Sequence, residues 1–175
     1  MNFSMTKGLA LVSLLLALAS VASGKEYQKV GFDLLAAKSY DPEAPEADKK
    51  VVVRDDEEYL KQYVLDSVLA LDGKPVEITG YMMPISVKGE KVSEFLLMPD
   101  TGACCYGQMP AFNSFVFAQA KKGAHLLDNV PIRVRGKLKV EEVWQTGFFS
   151  HLYHLQVDEV VIGFGELPPP SDFGL

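Results

Sequence analysis

Cys104 and Cys105 stand side by side in "TGACCYGQMPAFNS", Thr101 to Ser114, and the chain has no other cysteine. Thiolates are soft ligands that suit Zn²⁺ or Cu(I), and they are also the attacking groups of redox exchange. Neighbouring cysteines are awkward partners for one another. Their Cα atoms lie about 3.8 Å apart across a trans peptide, short of the ~4.4–6.8 Å that ordinary disulfides span. A vicinal bridge would be strained and easily reduced, and without a third cysteine no ordinary intrachain bridge can form. Three roles compete for the pair. They could be small buried residues in a tight turn bounded by Gly102 and Gly107. They could be metal ligands, with Met98, Met109 or a histidine completing the set. They could be a thiol-redox centre. Pro99 and Pro110 fix the two ends of the loop. Asn113, which offers both a donor and an acceptor, is expected to bond backbone groups within the loop and hold its shape.

The histidines are the next candidates. His151 and His154 form an H-x-x-H. On a helix they would share a face, but "HLYHLQVDEVVIG" alternates as a strand does, and on a strand residues three apart point to opposite sides. His151 then goes with Tyr153, Leu155 and Val157, and His154 with Gln156 and Asp158. A site using both needs a bulge. Either alone is more commonly a satisfied structural histidine. His151 is nevertheless the histidine set beside Cys104 and Cys105 as a candidate ligand, for zinc or copper. His125 lies in a loop and reads as solvated. No spacing matches C-x-x-C or H-E-x-x-H, and no base stands next to the cysteines in sequence, which weakens a redox or hydrolytic enzyme. In "WQTGFFS" the aromatic residues Trp144, Phe148 and Phe149 read as a plug at one end of the fold, or alternatively as a binding face.

These side chains need a scaffold, and the first stretch does not belong to it. Lys7 gives a short positive start. "GLALVSLLLALA" is an apolar run shorter than the ~20 residues of a spanning helix. "SVASG" offers small residues for cleavage, best placed after Ala22. Residues 1–22 are therefore expected to be a secretory signal peptide and the protein periplasmic or secreted. The 17 basic and 23 acidic residues give a net charge of −6, which becomes −7 once Lys7 leaves with the leader. That balance, with no basic cluster, argues against nucleic-acid binding. No later segment is apolar and long enough to span a membrane.

About 150 residues remain, enough for one domain with a core. Residues 23–54 read as an N-terminal extension and linker, with "DPEAPEADKK" lacking any periodicity. From Asp55 to Leu71 the apolar spacing is helical, after an acidic start, and Gly73 stops it. From Pro75 onward the period is two. Five strands follow, the clearest being "IRVRGKLKVEE", with Ile132, Val134, Leu138 and Val140 inward and Arg133, Arg135, Lys137 and Lys139 outward. One helix before five short strands predicts a mainly β domain over residues 55–165, a small OB-like Greek-key barrel, with a β-sandwich as the alternative. Residues 166–175 form a Pro-rich, loose tail.

"LDGKPVEITGYMMP", "FLLMPDTGACC", Pro110 and Asn113 resemble a family of exported bacterial proteins catalogued as a domain of unknown function. The resemblance covers about Leu71 to Gly163. Many members have Gly-Ala-Cys-x-His, a proline run and then Asn. Gly102, Ala103, Cys104, Pro110 and Asn113 fall on that pattern, whereas Tyr106 stands in place of the histidine and most of the prolines are missing. If Cys-x-His is a metal site in relatives, Cys105 could replace the lost histidine here. The resemblance implies an accessory role in metal homeostasis or envelope transport, with an ABC-transporter component or another envelope protein as partner. The expectation is a non-enzymatic exported protein whose vicinal-cysteine loop binds metal or docks a partner. The alternative is a thiol-redox protein.

Overall fold

The computed structural model describes residues 25–46, 50–102 and 110–163. The leader, Cys104, Cys105, Gly107 and the Pro-rich tail lie outside the described residues. Seven strands form one sheet: β1 (Gln28–Val30), β2 (Val51–Arg54), β3 (Pro75–Lys88), β4 (Lys91–Met98), β5 (Val116–His125), β6 (Pro131–Gln145) and β7 (Phe148–Ile162). Their order is β1-β3-β4-β5-β7-β6-β2, and β3 also pairs with β6 from Pro75↔Lys137 to Tyr81↔Pro131. That ladder closes β3, β4, β5, β7 and β6 into a five-stranded barrel. Four of its pairings are antiparallel; β5 and β7 run parallel, from Phe117↔His154 to Gln119↔Gln156. This is the OB-like Greek-key barrel expected from the alternation. Closure by β3–β6 excludes two separate stacked sheets.

Alternation builds the core. Val76 and Ile78 on β3, Phe95 and Leu97 on β4, Val116 and Ala118 on β5, Val134 and Leu138 on β6, and Leu155 on β7 are all fully buried. Each large side chain of this kind contributes roughly 1.5–3 kcal/mol on burial. The long β6–β7 hairpin turns through Thr146 and Gly147, both at positive φ, the demand of a two-residue I′ turn. Gly136 allows the close crossing of β7: a Cβ there would lie 2.3 Å from the Gln156 carbonyl oxygen.

The helical segment departs from expectation. Asp55 to Leu71 does not form one helix but two short ones, α2 (Glu57–Leu60) and α3 (Asp66–Leu69), after α1 (Phe32–Leu35). Asp56 caps α2 by accepting from the Tyr59 amide. Leu65 is extended at the start of α3. The break has a tertiary cause. Lys38 Nζ donates to the carbonyls of Lys61 and Val64, Tyr63 packs edge-on against Tyr40, and the Tyr59 hydroxyl reaches β6. The 3.6-residue spacing survives only in what it buries: Leu60, Val64, Val68 and Leu71 all face the core. β1 and β2 lie in the segment read as extension and linker; β1 adds to β3 in parallel, and β2 adds to β6 antiparallel.

Candidate metal centre

β6 carries Glu141 and Glu142 in succession, where an alternating strand should send one in and one out. The ladder with β7 breaks its register here, between Val140 and Val143 and again between Val143 and Trp144. Such breaks are bulges, which bend the pair and re-aim side chains. Their consequence is visible on β7. His151 and His154, three apart on one strand, have ring centroids 5.4 Å apart. Phe117 of β5 stacks on His151 at 5.0 Å and 9°, and also contacts His154. Glu141 comes from the bulge, its carboxylate 3.8 Å from His154 Nδ1. One ligand atom from each of Glu141, His151 and His154 lies within 4.8 Å of the other two.

The electrostatics suit a ligand set. His151 is 6% exposed. Burial, and secondarily the neighbouring His154, lower its pKa to about 4. Burial also lowers His154, with Lys121 adding to the effect. Both rings are therefore neutral near pH 7, the form that binds metal. Burial raises Glu141 above the ordinary carboxylate range. Ser150 Oγ lies 3.0 Å from His151 Nδ1. Among the described residues the Nε2 atoms of His151 and His154 are buried without a hydrogen-bond partner. Such orphans cost about 1–3 kcal/mol each, so two of them side by side call for an explanation. A tetrahedral ion with bonds of about 2.0–2.2 Å needs ligand atoms about 3.4 Å apart, within reach of small side-chain rotations here.

The adjacent Glu142 does a different job. It is fully buried and accepts from Tyr40 Oη (2.6 Å), Tyr59 Oη (2.7 Å), an Arg54 guanidinium nitrogen (2.6 Å) and Trp144 Nε1 (2.7 Å). With its lone pairs occupied, it is a structural hub and not an open ligand. Burial and the Glu142 carboxylate raise both phenols, Tyr59 to about 12.

Of the residues singled out in the sequence, His151 sits in this cluster, whereas Cys104, Cys105 and Gly107 lie outside the described residues. The Gly102 amide donates to Asp100 Oδ1 at 2.7 Å, and Pro110 is half-buried. Asn113 is buried, but its side-chain amide donates outside its own loop, to the Lys38 carbonyl at 2.7 Å, across 75 residues of sequence, and so ties the loop to the segment after α1. Trp144 and Phe149 pack edge-on near Phe112 and Phe115, but Phe148 is 77% exposed and takes no part in the plug. Glu141 was not foreseen as a ligand. Its signal is the acidic pair that interrupts the alternation of "KLKVEEVW".

Residues 26–162 match the family described as "Protein of unknown function (DUF3299)". Among solved structures, the chain is similar to the crystal structure of a DUF3299 family protein from Pseudomonas aeruginosa PAO1. The TM-score is 0.56 and the identity 25%, over 81% of this chain and 99% of that one. No curated protein matches the chain.

Proposed function

This chain belongs to the DUF3299 family of unknown function, and on that premise we propose that it is an exported, non-enzymatic accessory protein that binds a transition-metal ion. The observation that carries the reading is the convergence of Glu141, His151 and His154 with two buried, unpartnered imidazole nitrogens. Imidazole and carboxylate ligands suit Zn²⁺, and Cu²⁺ by the same chemistry. Three protein ligands leave a fourth position free, the arrangement of a site that exchanges its ion or its ligand, in contrast to a closed structural site. That openness fits a carrier working beside a transport component of the envelope. Cys104 and Cys105 are a separate candidate for soft-metal binding or partner docking, resting on sequence alone.

The test is metal binding by the metal-free full chain, measured by titration calorimetry with Zn²⁺ and with Cu²⁺ against His151→Asn, His154→Asn and Glu141→Gln. One equivalent should bind to the parent, and each histidine substitution should weaken binding at least a hundredfold. A parent that binds no ion, or histidine variants that bind as the parent does, would remove this site. Cys104→Ser/Cys105→Ser, run in parallel, should leave this binding unchanged.

A further inference from the structure

A cleft of about 870 Å³ lies not at the histidine pair but beside it. It opens where β5 and β7 diverge after their parallel pairing ends at Gln119↔Gln156. Its charge is one-sided once the existing pairs are set aside. Asp158 is held by Lys25 and Tyr27, and Glu159 by Arg135. Lys121, Lys122 and Lys137 also line the cleft, and none has an ion-pair partner among the described residues. Asp158 also feels the charge of Lys122, but three ammonium groups without a contact ion pair still outnumber the acids of this concave, ligand-sized space and call for an anion.

The cleft and the metal centre share one surface. The register places Phe117 and Gln119 of β5 on the same face as His154 and Gln156 of β7, and Lys121 follows where β5 breaks register with β4, between Gln119 and Ala124. Two residues along a strand cover about 6–7 Å, so Gln156 follows His154 by one step. Lys121 is close enough to His154 to disfavour its protonated form. A ligand lying along the strip would meet lysines at one end and the open coordination position at the other. A phosphate has the charge but is too compact to reach all three lysines and the coordination position together, since its oxygens lie on a single centre. Carboxylates spaced along a carbon chain satisfy both ends, since carboxylate oxygen is also a zinc ligand.

We infer that this cleft binds a small polycarboxylate, gripped by Lys121, Lys122 and Lys137, and that the metal ion is held together with it as a ternary complex. The second half rests on the metal-binding reading; the first does not. Citrate, titrated into the metal-free full chain at fixed ionic strength, is the probe, with inorganic phosphate as the comparison. Citrate should bind at least tenfold more tightly than phosphate, and Lys121→Ala/Lys122→Ala/Lys137→Ala should weaken it at least tenfold. The three lysines are exposed, so the variant keeps the fold, which circular dichroism verifies. Citrate that binds no better than phosphate, or equally well to the triple variant, overturns the cleft. Protein preloaded with one equivalent of Zn²⁺ should bind citrate more tightly still, and His151→Asn/His154→Asn should lose only that gain. Zinc bound without any gain overturns the ternary complex. Failure to bind zinc at all refutes the metal reading, while the metal-free titration still decides the cleft.

Discussion

His151 is held between an apolar face and a second imidazole, and both favour its neutral form. Its pKa lies near 6.5 in the unfolded chain and at about 4 in the folded one. Above pH 6.5 neither state is protonated and the group costs nothing. As the pH falls from 6.5 towards 4, the unfolded chain takes a proton that the folded chain refuses, so stability is lost through that window. The size is about 3 kcal/mol, since one pKa unit is worth about 1.36 kcal/mol. Urea unfolding of the metal-free protein at pH 7 and pH 4.5 should show this loss, and His151→Asn should abolish most of it. Equal pH dependence in parent and variant would mean that His151 is not desolvated. The sequence made His151 visible as a candidate, but strand alternation set it on the opposite face from His154, and the structure brings the two together through the bulge. The bulge that joins them was written only indirectly, in two consecutive acids. Two-residue periodicity says which face a side chain takes and cannot say where the period slips.

At the scale of elements, the five barrel strands were legible because each buries one face, and burial enforces alternation. The helix over Asp55–Leu71 was not, because its apolar spacing is compatible with one long helix or two short ones. Contacts from Lys38, Tyr40 and Glu142, remote in sequence, decide in favour of two. β2 was hidden by its length, four residues leaving the "DPEAPEADKK" stretch. Asn113 joins two of these levels. It anchors the segment entering β5 to the Lys38 carbonyl, while the Lys38 ammonium holds the turn between α2 and α3. Asn113→Ala leaves that carbonyl and a buried site without their bond, which should cost about 1–3 kcal/mol. Thermal unfolding compared with Asn113→Leu, which keeps the volume and loses the donor, separates bonding from packing. If both variants melt with the parent, the Asn113–Lys38 bond carries no stability.

Over the whole molecule, the barrel alone does not account for how residues 25–60 are held. β1 and β2 add to opposite ends of the strand order, on β3 and β6. β1 contributes three ladder positions and β2 four, which is little area for segments this far from the core in sequence. Glu142 supplies a further connection. One carboxylate accepts from Tyr40 in the segment after α1, Arg54 at the end of β2, Tyr59 in α2 and Trp144 on β6 itself. Three segments of the N-terminal third therefore meet the barrel at one buried anion, whose charge Arg54 balances, in addition to the Asn113–Lys38 and Tyr153–Leu35 bonds. A buried carboxylate is costly unless its lone pairs are filled, and here four donors fill them. Removing it would orphan the Tyr40 hydroxyl and the Trp144 N–H and strand the half-buried Arg54. Glu142→Ala should therefore cost about 3–5 kcal/mol, the range for breaking a buried pair from one side. Glu142→Gln, which keeps an acceptor and loses the charge, should cost less. The loss should also be uneven. Limited proteolysis should cut the alanine variant within residues 36–62 under conditions that leave the parent whole, while the β6–β7 hairpin resists. A variant that loses stability uniformly, without early cleavage there, would show that the ladders and the other contacts hold the N-terminal third in place without Glu142.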